Sequence, residues 1–133
     1  MFKAEIIDTI GVISSFEKIA MKQSIGGGEK INDMNSGEKI NIVACAIFHV
    51  KNDKAESEEY DCCVLKTIED SGEINYLTTG SQSAINSIFD DGDVEELFTD
   101  MPADMKAISF RIKKQSSKNN QGSFIILLPL EYI

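Results

Sequence analysis

Four basic residues near the C-terminus are the best suited of this chain to binding chemistry: Arg111, Lys113, Lys114 and Lys118. Residues 105–130 carry five basic side chains and no acidic one, although the net charge of the chain is −9. Phosphate binding relies on lysine and arginine, and the distribution of these charges matters more than their sum. The cluster therefore predicts a nucleic-acid contact. The alternative is that these lysines only solubilise strand ends.

Two tyrosines lie where predicted strands could present them beside this cluster. Tyr60 begins the second predicted strand, Lys66 shares its face, and Tyr76 lies on the third strand. Single-strand binding combines cations for phosphates with exposed rings on which bases stack. The alternative for both tyrosines is to cover the ends of a barrel with the hydroxyl in water. The predicted nucleic-acid-binding residues are Lys51, Lys54, Tyr60, Lys66, Tyr76, Arg111, Lys113, Lys114 and Lys118.

Residues that could support catalysis or metal binding are scarce. The three cysteines, Cys45, Cys62 and Cys63, lie in apolar stretches without Cys-x-x-Cys spacing, which predicts buried thiols. His49 is the only histidine, so a zinc site or an activated nucleophile has few residues to draw on. The acid pairs fall in no recognisable catalytic motif and are interpreted as solvated faces. We therefore predict a protein that is not an enzyme and uses no metal or cofactor.

The elements before the first long strand form a helical preface, residues 1–28. A short strand is predicted over Phe2–Ile7, followed by a helix over Thr9–Lys22 with Asp8 as its cap. The helix is expected to end before three consecutive glycines, 26–28, which match no phosphate-binding loop. We interpret them as a hinge or turn, with a backbone contact to DNA as the lesser alternative. The apolar stripe of this helix would comprise Ile10, Ile13, Phe16, Ile19 and Ala20.

Five strands and a helical connection follow over residues 39–130. In the first strand, residues 40, 42, 44, 46, 48 and 50 are predicted to share one face. Phe48, Phe110 and Phe124 alternate in phase with aliphatic neighbours, which predicts core positions. A helix capped by Ser81 or Ser83 is interrupted at Gly92. The predicted strands are Lys39–Lys51, Tyr60–Ile68, Glu73–Thr79, Met105–Lys114 and Phe124–Leu130.

This order of elements predicts a mostly β, α+β fold. It matches an OB-like five-stranded Greek-key barrel in which a helix joins strands three and four. A length of 133 residues, with 42% apolar and 26% charged residues, is typical of one soluble domain covering residues 1–133. No apolar run approaches the roughly 20 residues of a membrane span, and the N-terminus lacks the features of a secretory signal. We therefore expect a cytoplasmic protein.

An acidic stretch immediately precedes the basic cluster. Residues 90–104 contain seven acids and no base. Such a face would repel DNA from the wrong side of the protein.

The chain also resembles the single-stranded DNA-binding proteins of phi-29-type phages, small tailed phages with protein-primed replication. The resemblance covers roughly residues 9–130. It depends on the glycine triplet, the turn Ser71–Gly72 with Tyr76 behind it, and the run Phe110-Arg111-Ile112 followed by Ser116-Ser117-Lys118-Asn119 and Phe124. The acidic stretch 90–104 and the tail 131–133 depart from the family.

The resemblance implies an early phage protein in the host-cell cytoplasm. It would coat single strands displaced during replication, protect them from nucleases and prevent unproductive polymerase binding. It would need no cofactor, and its acidic stretch 90–104 would serve as a docking site for replication proteins. For the chain itself we expect a monomer or a weak homo-oligomer.

A different class of function remains open. The net charge of −9 also suits a phage-encoded interaction module that mimics DNA and inhibits a host nuclease or defence protein. In that case the acidic surface is the active one and the basic cluster is incidental. A structural or assembly protein without a ligand is the third alternative.

Overall fold

The computed structural model describes residues 2–52, 58–116 and 123–133. These residues form a mixed α+β fold in which strand residues outnumber helical ones. The elements, in chain order, are β1 (Phe2–Ile10), α1 (Ser15–Ser24), β2 (Glu29–Lys30), a 3₁₀ helix (Ile31–Asp33), β3 (Lys39–Asn52), β4 (Glu58–Ile68), β5 (Ile74–Thr79), α2 (Gln82–Phe89), α3 (Gly92–Thr99), β6 (Ile108–Ser116) and β7 (Ser123–Tyr132). The predicted order is confirmed, and the five predicted strands agree with the observed bounds to within three residues.

One curled sheet contains all the described strands, in the order β2-β5-β4-β3-β6-β7, with β1 also paired to β3. The long strand β3 makes this possible because its first part pairs with β6 and its later part pairs with β1. Its register against β4 shifts between Ile42 and Ala44. A bulge of this kind bends a strand and increases its twist. The sheet curls into a half-barrel that is compatible with an OB-like barrel.

The bulge in β3 also changes which side chains share a face. Ile40 and Ile42 lie in the inner core with Cys45, whereas Phe48 and Val50 belong to a second core on the outer face of the sheet. The prediction that positions 40–50 alternate onto a single face was therefore wrong. An extra residue in one strand reverses the side-chain phase beyond it, and alternation alone does not reveal the bulge.

The inner core lies between the concave side of the sheet and helices α2 and α3. Phe110 is fully buried there, and its ring stacks on that of Phe98 with centroids 6.1 Å apart. The second core lies under α1, where Met21 and Ile25 pack with Phe48 and other residues of β3 and β4. Phe48 and Phe110 are thus core residues, as predicted. None of the helices in the described ranges is long and apolar enough to span a membrane.

Helix α1 begins six residues later than predicted. Ser14, not Asp8, caps it, and Ser14 and Glu17 form a reciprocal capping box. Residues up to Ile10 extend β1 instead, because they pair with β3. The chain then turns at Gly11, whose φ is +86° and where an added Cβ would lie 2.9 Å from the Cβ of Ala44.

Two residues of the predicted apolar stripe of α1 do not face the sheet, so this part of the prediction was also wrong. Phe16 is 85% exposed and Ile19 is 58% exposed, whereas Met21 and Ile25 are buried. The late start of the helix rotates a different set of residues onto the sheet. After the helix, residues 25–28 form the turn predicted from the glycine triplet.

Helix α2 covers the outer edge of β7. The hydroxyl of Ser83 accepts a hydrogen bond from the backbone N–H of Ile125 at 3.0 Å, and that of Ser87 accepts one from Leu127 at 3.2 Å. Edge strands expose unpaired backbone groups that must be satisfied or protected. Two serines one helical turn apart perform this function here. Ser81 caps α2, as predicted, by accepting from Ala84 N.

Candidate nucleic-acid interface

Three of the predicted binding residues lie on the outer face of β4 and β5, but α1 covers two of them. Lys66 and Tyr76 are direct cross-strand neighbours. The Lys66 ammonium forms an ion pair with the Glu17 carboxylate of α1, and its side chain is only 17% exposed. Tyr76 packs against the core under α1. Both residues therefore contact α1 or the core beneath it.

Tyr60 is the exposed member of this face. Tyr60 is 45% exposed and lies at the rim of a groove of about 470 Å³. The groove is bounded by the end of α1, the 3₁₀ helix, the start of β4 and the end of β5. The groove is lined by Ile25, Gly26, Lys30, Asn32, Asp33, Tyr60, Cys62, Thr78, Thr79 and Gly80. Within one concave surface it offers the ring of Tyr60, the ammonium of Lys30, the carboxylate of Asp33, and amide and hydroxyl groups.

Hydrogen bonds fix the wall of this groove. Lys30 of β2 pairs in parallel with Thr78 of β5. The Thr79 hydroxyl donates to Asn32 Oδ1 at 3.0 Å and accepts from Ser81 N at 3.1 Å. The segment that carries Lys30 and Asn32 is therefore tied to the sheet at both ends. Within the described ranges, the exposed Lys30 forms no ion pair.

The groove also reaches one of the three thiols. Cys62 lines it while remaining 6% exposed, and burial raises the pKa of its thiol although the nearby Lys30 ammonium opposes that change. Cys45 and Cys63 lie in the inner core, where burial raises the pKa of each thiol. All three cysteines are buried, as predicted. In the ranges that the structure describes, no group of three or more His, Cys, Asp or Glu residues could hold a metal ion.

The basic residues of β6 divide between the two sides of the strand. Lys114 points to the inner side, as Ile112 does, and reaches beyond the core to the 3₁₀ helix. Its Nζ donates to the backbone carbonyl of Asn32 at 2.6 Å, and its backbone N–H donates to Ser36 Oγ at 3.0 Å. Because Asn32 also lines the Tyr60 groove, Lys114 adjoins that groove.

Arg111 and Lys113 point the other way, to the outer face of the β6–β7 hairpin. Both are exposed, and their cross-strand neighbours are Leu128 and Ile126. Phe124 lies on the same outer face and is 51% exposed, so its predicted core position was wrong. Residues 124–128 are apolar throughout, so alternation could not show which phase faces the core. The structure places Ile125 and Leu127 inside.

Lys51, the remaining predicted residue within the described ranges, does not join the groove. Lys51 is on the opposite face of the sheet from Tyr60, and its Nζ lies 3.2 Å from a carboxylate oxygen of Glu59. That polar face also contains His49, whose Nδ1 lies 2.9 Å from Asp61 Oδ1. Lys54 and Lys118 lie outside the described residues.

Sequence reasoning missed Lys30 and Asn32, the two groove residues that complete the site. They lie after the glycine triplet, in a segment predicted as neither strand nor helix. Their position depends on the two-residue parallel pairing of β2 with β5, which spans 47 or more positions along the chain. A pairing that short leaves no periodicity to detect.

Comparisons with known proteins add no relative. The chain matches no protein-family model, no curated protein and no solved structure.

Proposed function

We propose that this protein binds single-stranded DNA in the Tyr60 groove. The observation that carries the proposal is the placement of Tyr60 and Lys30 on one groove that adjoins Lys114 through Asn32. A base can stack on the tyrosine ring, which contributes about 1–3 kcal/mol per base in such proteins. The two ammonium groups can contact the phosphates on either side of that base.

The fold supports this location. We propose that β3, β4, β5, β6 and β7 correspond to the five strands of an OB-like barrel, with α2 and α3 between the third and fourth. The first of these strands pairs with both the second and the fourth, as Greek-key closure requires. OB barrels bind oligonucleotides across strands two and three. The Tyr60 groove lies on those two strands, at the start of β4 and the end of β5.

The chemistry favours binding without a sequence preference. Every base has a π-face, so an exposed ring accepts all four, and phosphate contacts are common to every sequence. A protein with these properties would coat and protect displaced single strands during phage DNA replication. Neither role requires a bound cofactor or a catalytic residue.

Titration with fluorescent oligo-dT at several salt concentrations tests this proposal. We expect the logarithm of the association constant to fall linearly with the logarithm of salt concentration. Lys30→Gln should reduce both the affinity at low salt and the slope. Lys18→Gln is the matched control, because Lys18 is an exposed lysine on α1 that does not line the groove. The absence of binding at low salt, or equal effects of the two substitutions, would contradict the groove as the site.

The acidic surface favours one second candidate, an interaction module that mimics DNA. All seven acids of residues 90–104 are exposed, and none forms an ion pair within the described part of the chain. Under this alternative, oligo-dT does not bind, and a host nuclease or defence protein with a basic surface does. The same titration therefore separates the two candidates.

A further inference from the structure

The outer face of the β6–β7 hairpin carries a row of exposed apolar side chains. Phe124, Ile126 and Leu128 alternate along β7, with Phe124 51% and Leu128 40% exposed and Ile126 partly so. Alternate residues of a strand point to the same face, so the three side chains form a continuous row. Single exposed apolar residues are ordinary, but contiguous ones rimmed by polar groups mark interaction sites.

A row of cations borders the apolar row on one side. Arg111 and Lys113 are the cross-strand neighbours of Leu128 and Ile126, and Lys39 of β3 is the cross-strand neighbour of Arg111. All three cations are exposed and have no ion-pair partner within the described residues. We call Lys39, Arg111 and Lys113 the basic row.

Carboxylates border the apolar row on its other side. Asp91 and Asp93, at the start of α3, line a shallow groove of about 230 Å³ together with Ile126 and Leu128. Both aspartates are exposed. The face therefore consists of three parallel rows in the order basic, apolar, acidic. Two residues of the acidic stretch, Asp91 and Asp93, thus lie beside the basic hairpin and form the opposite border of this surface.

We propose that this face binds a second copy of the chain, around a two-fold axis that runs along β7 in the plane of the interface. Such an axis places the apolar row of one protomer on the apolar row of its partner. It also places each basic row over the partner's acidic row, so the complementary contact forms twice. An axis perpendicular to β7 would put cations over cations, so the charges select one orientation.

The charges favour a second copy over nucleic acid at this face. A strand of DNA along the basic row would lie one β-strand away from Asp91 and Asp93. Neighbouring strands are about 4.8 Å apart, and the Debye length is about 8–10 Å, so the carboxylates would repel the phosphates. DNA would also leave the apolar row uncovered. A second copy would cover the apolar row and would place an oppositely charged row over each charged row.

The size of the face predicts a weak dimer. The face is about 17 Å long, because it extends over five residues of β7. It is about 20 Å wide, because it extends across β3, β6, β7 and the start of α3. This footprint is well below the roughly 800 Å² per partner of a standard stable interface. We expect a dissociation constant on the order of 10–100 µM, because interfaces of this size bind weakly. The residues that line the Tyr60 groove are not part of the face, so this proposal does not depend on the proposed function.

Sedimentation velocity from 1 to 300 µM protein tests the proposal. We expect a concentration-dependent dimer at 50 mM NaCl that weakens at 500 mM NaCl. The double variant Arg111→Glu, Lys113→Glu should remain monomeric, because both borders of its face become acidic. Lys18→Glu, Lys22→Glu makes the same change in net charge on α1 and should dimerise as the natural chain does. A natural chain that stays monomeric up to 300 µM, or a hairpin variant that still dimerises, would overturn the proposal.

Charge-swap complementation provides the more specific test. Asp93→Lys should also reduce self-association. Mixing it with the hairpin double variant should restore dimers, because the acidic hairpin of one variant then faces the lysine at position 93 of the other. Thermal melting of each variant establishes that it is folded. Absence of heterodimers in the mixture of folded variants would contradict the two-fold arrangement. Loss of oligo-dT affinity in the hairpin variant at 1 µM, where the protein is monomeric, would assign the face to DNA instead.

Discussion

The ammonium of Lys66 on β4 pairs with the carboxylate of Glu17 on α1, and this pair anchors α1 on the outer face of the sheet. The lysine that the sequence predicts as a phosphate ligand is thus paired with a carboxylate in the folded protein. Glu17 also accepts from Ser14 N at 3.2 Å, so one carboxylate both completes the helix cap and holds the helix in place. The position of α1 then determines that Tyr60 is exposed while Tyr76 is covered.

The first prediction concerns the stability that this pair contributes. Glu17→Gln keeps the capping box, since glutamine serves at that position, but removes the charge. We expect the free energy of unfolding to fall by about 1–3 kcal/mol, because a largely buried lysine loses its partner. Urea denaturation measures the change, and Glu96→Gln on the exposed side of α3 is the control. A loss no larger than that of Glu96→Gln would contradict the anchoring role.

The second prediction separates structure from DNA contact at Lys66. Lys66→Met should lower stability but leave the affinity for oligo-dT within about twofold of the natural chain, because α1 covers this position. Fluorescence titration well below the melting temperature measures the affinity. An affinity loss of tenfold or more in the folded variant would show that Lys66 contacts DNA and that α1 moves aside to permit it.

The third prediction concerns pH. The hydrogen bond from Lys66 lowers the pKa of Glu17 below its ordinary value of 4.5. A carboxylate with a lowered pKa in the folded state stabilises that state fully above its ordinary pKa, and this contribution is lost as the pH falls through the folded value. The stability difference between the natural chain and Glu17→Gln should therefore be constant from pH 6 to 7 and shrink below about pH 4.5. Urea denaturation across this range measures it, and a difference independent of pH would contradict the ion pair.

The fourth prediction uses Cys62 as a reporter of the groove. Only this thiol borders the groove, so iodoacetamide should modify Cys62 before Cys45 or Cys63. Its raised pKa means that modification is slow at pH 8 and accelerates as the pH increases. Saturating oligo-dT should slow the reaction at Cys62, as measured by peptide mass spectrometry. Modification of the three thiols together would indicate global unfolding, and an unchanged rate with DNA would place the DNA elsewhere.

Much of this architecture follows from local patterns in the sequence. Local patterns predicted the order of the strands along the chain and the helices between the third and fourth long strands. They also predicted the burial of Phe48, Phe110 and the three thiols. Each of these features depends on alternation or on a cap. The start of α1 was not. Residues 9 and 10 fit a helical pattern, but their pairing with β3 across the sheet decides their structure.

The site was harder to predict because its parts come from distant segments. The partner of Lys66 lies 49 positions earlier. Lys30 and Asn32, which complete the Tyr60 groove, belong to a two-residue strand and to the 3₁₀ helix that follows it. Of the seven predicted binding residues that lie within the described ranges, Tyr60 is at the groove and Lys114 adjoins it. Arg111 and Lys113 are exposed, but strand alternation places them on the other side of β6 from Lys114.

The most direct test of the central claim is the affinity for oligo-dT of Tyr60→Ala beside that of Phe16→Ala. Both variants remove a substantially exposed ring, but only Tyr60 lines the groove. We predict that Tyr60→Ala weakens binding by about 5- to 100-fold at every salt concentration, since stacking on one ring contributes about 1–3 kcal/mol. Phe16→Ala should bind as the natural chain does. Equal affinity of the two folded variants, or a larger loss in Phe16→Ala, would contradict the claim that bases stack in the Tyr60 groove.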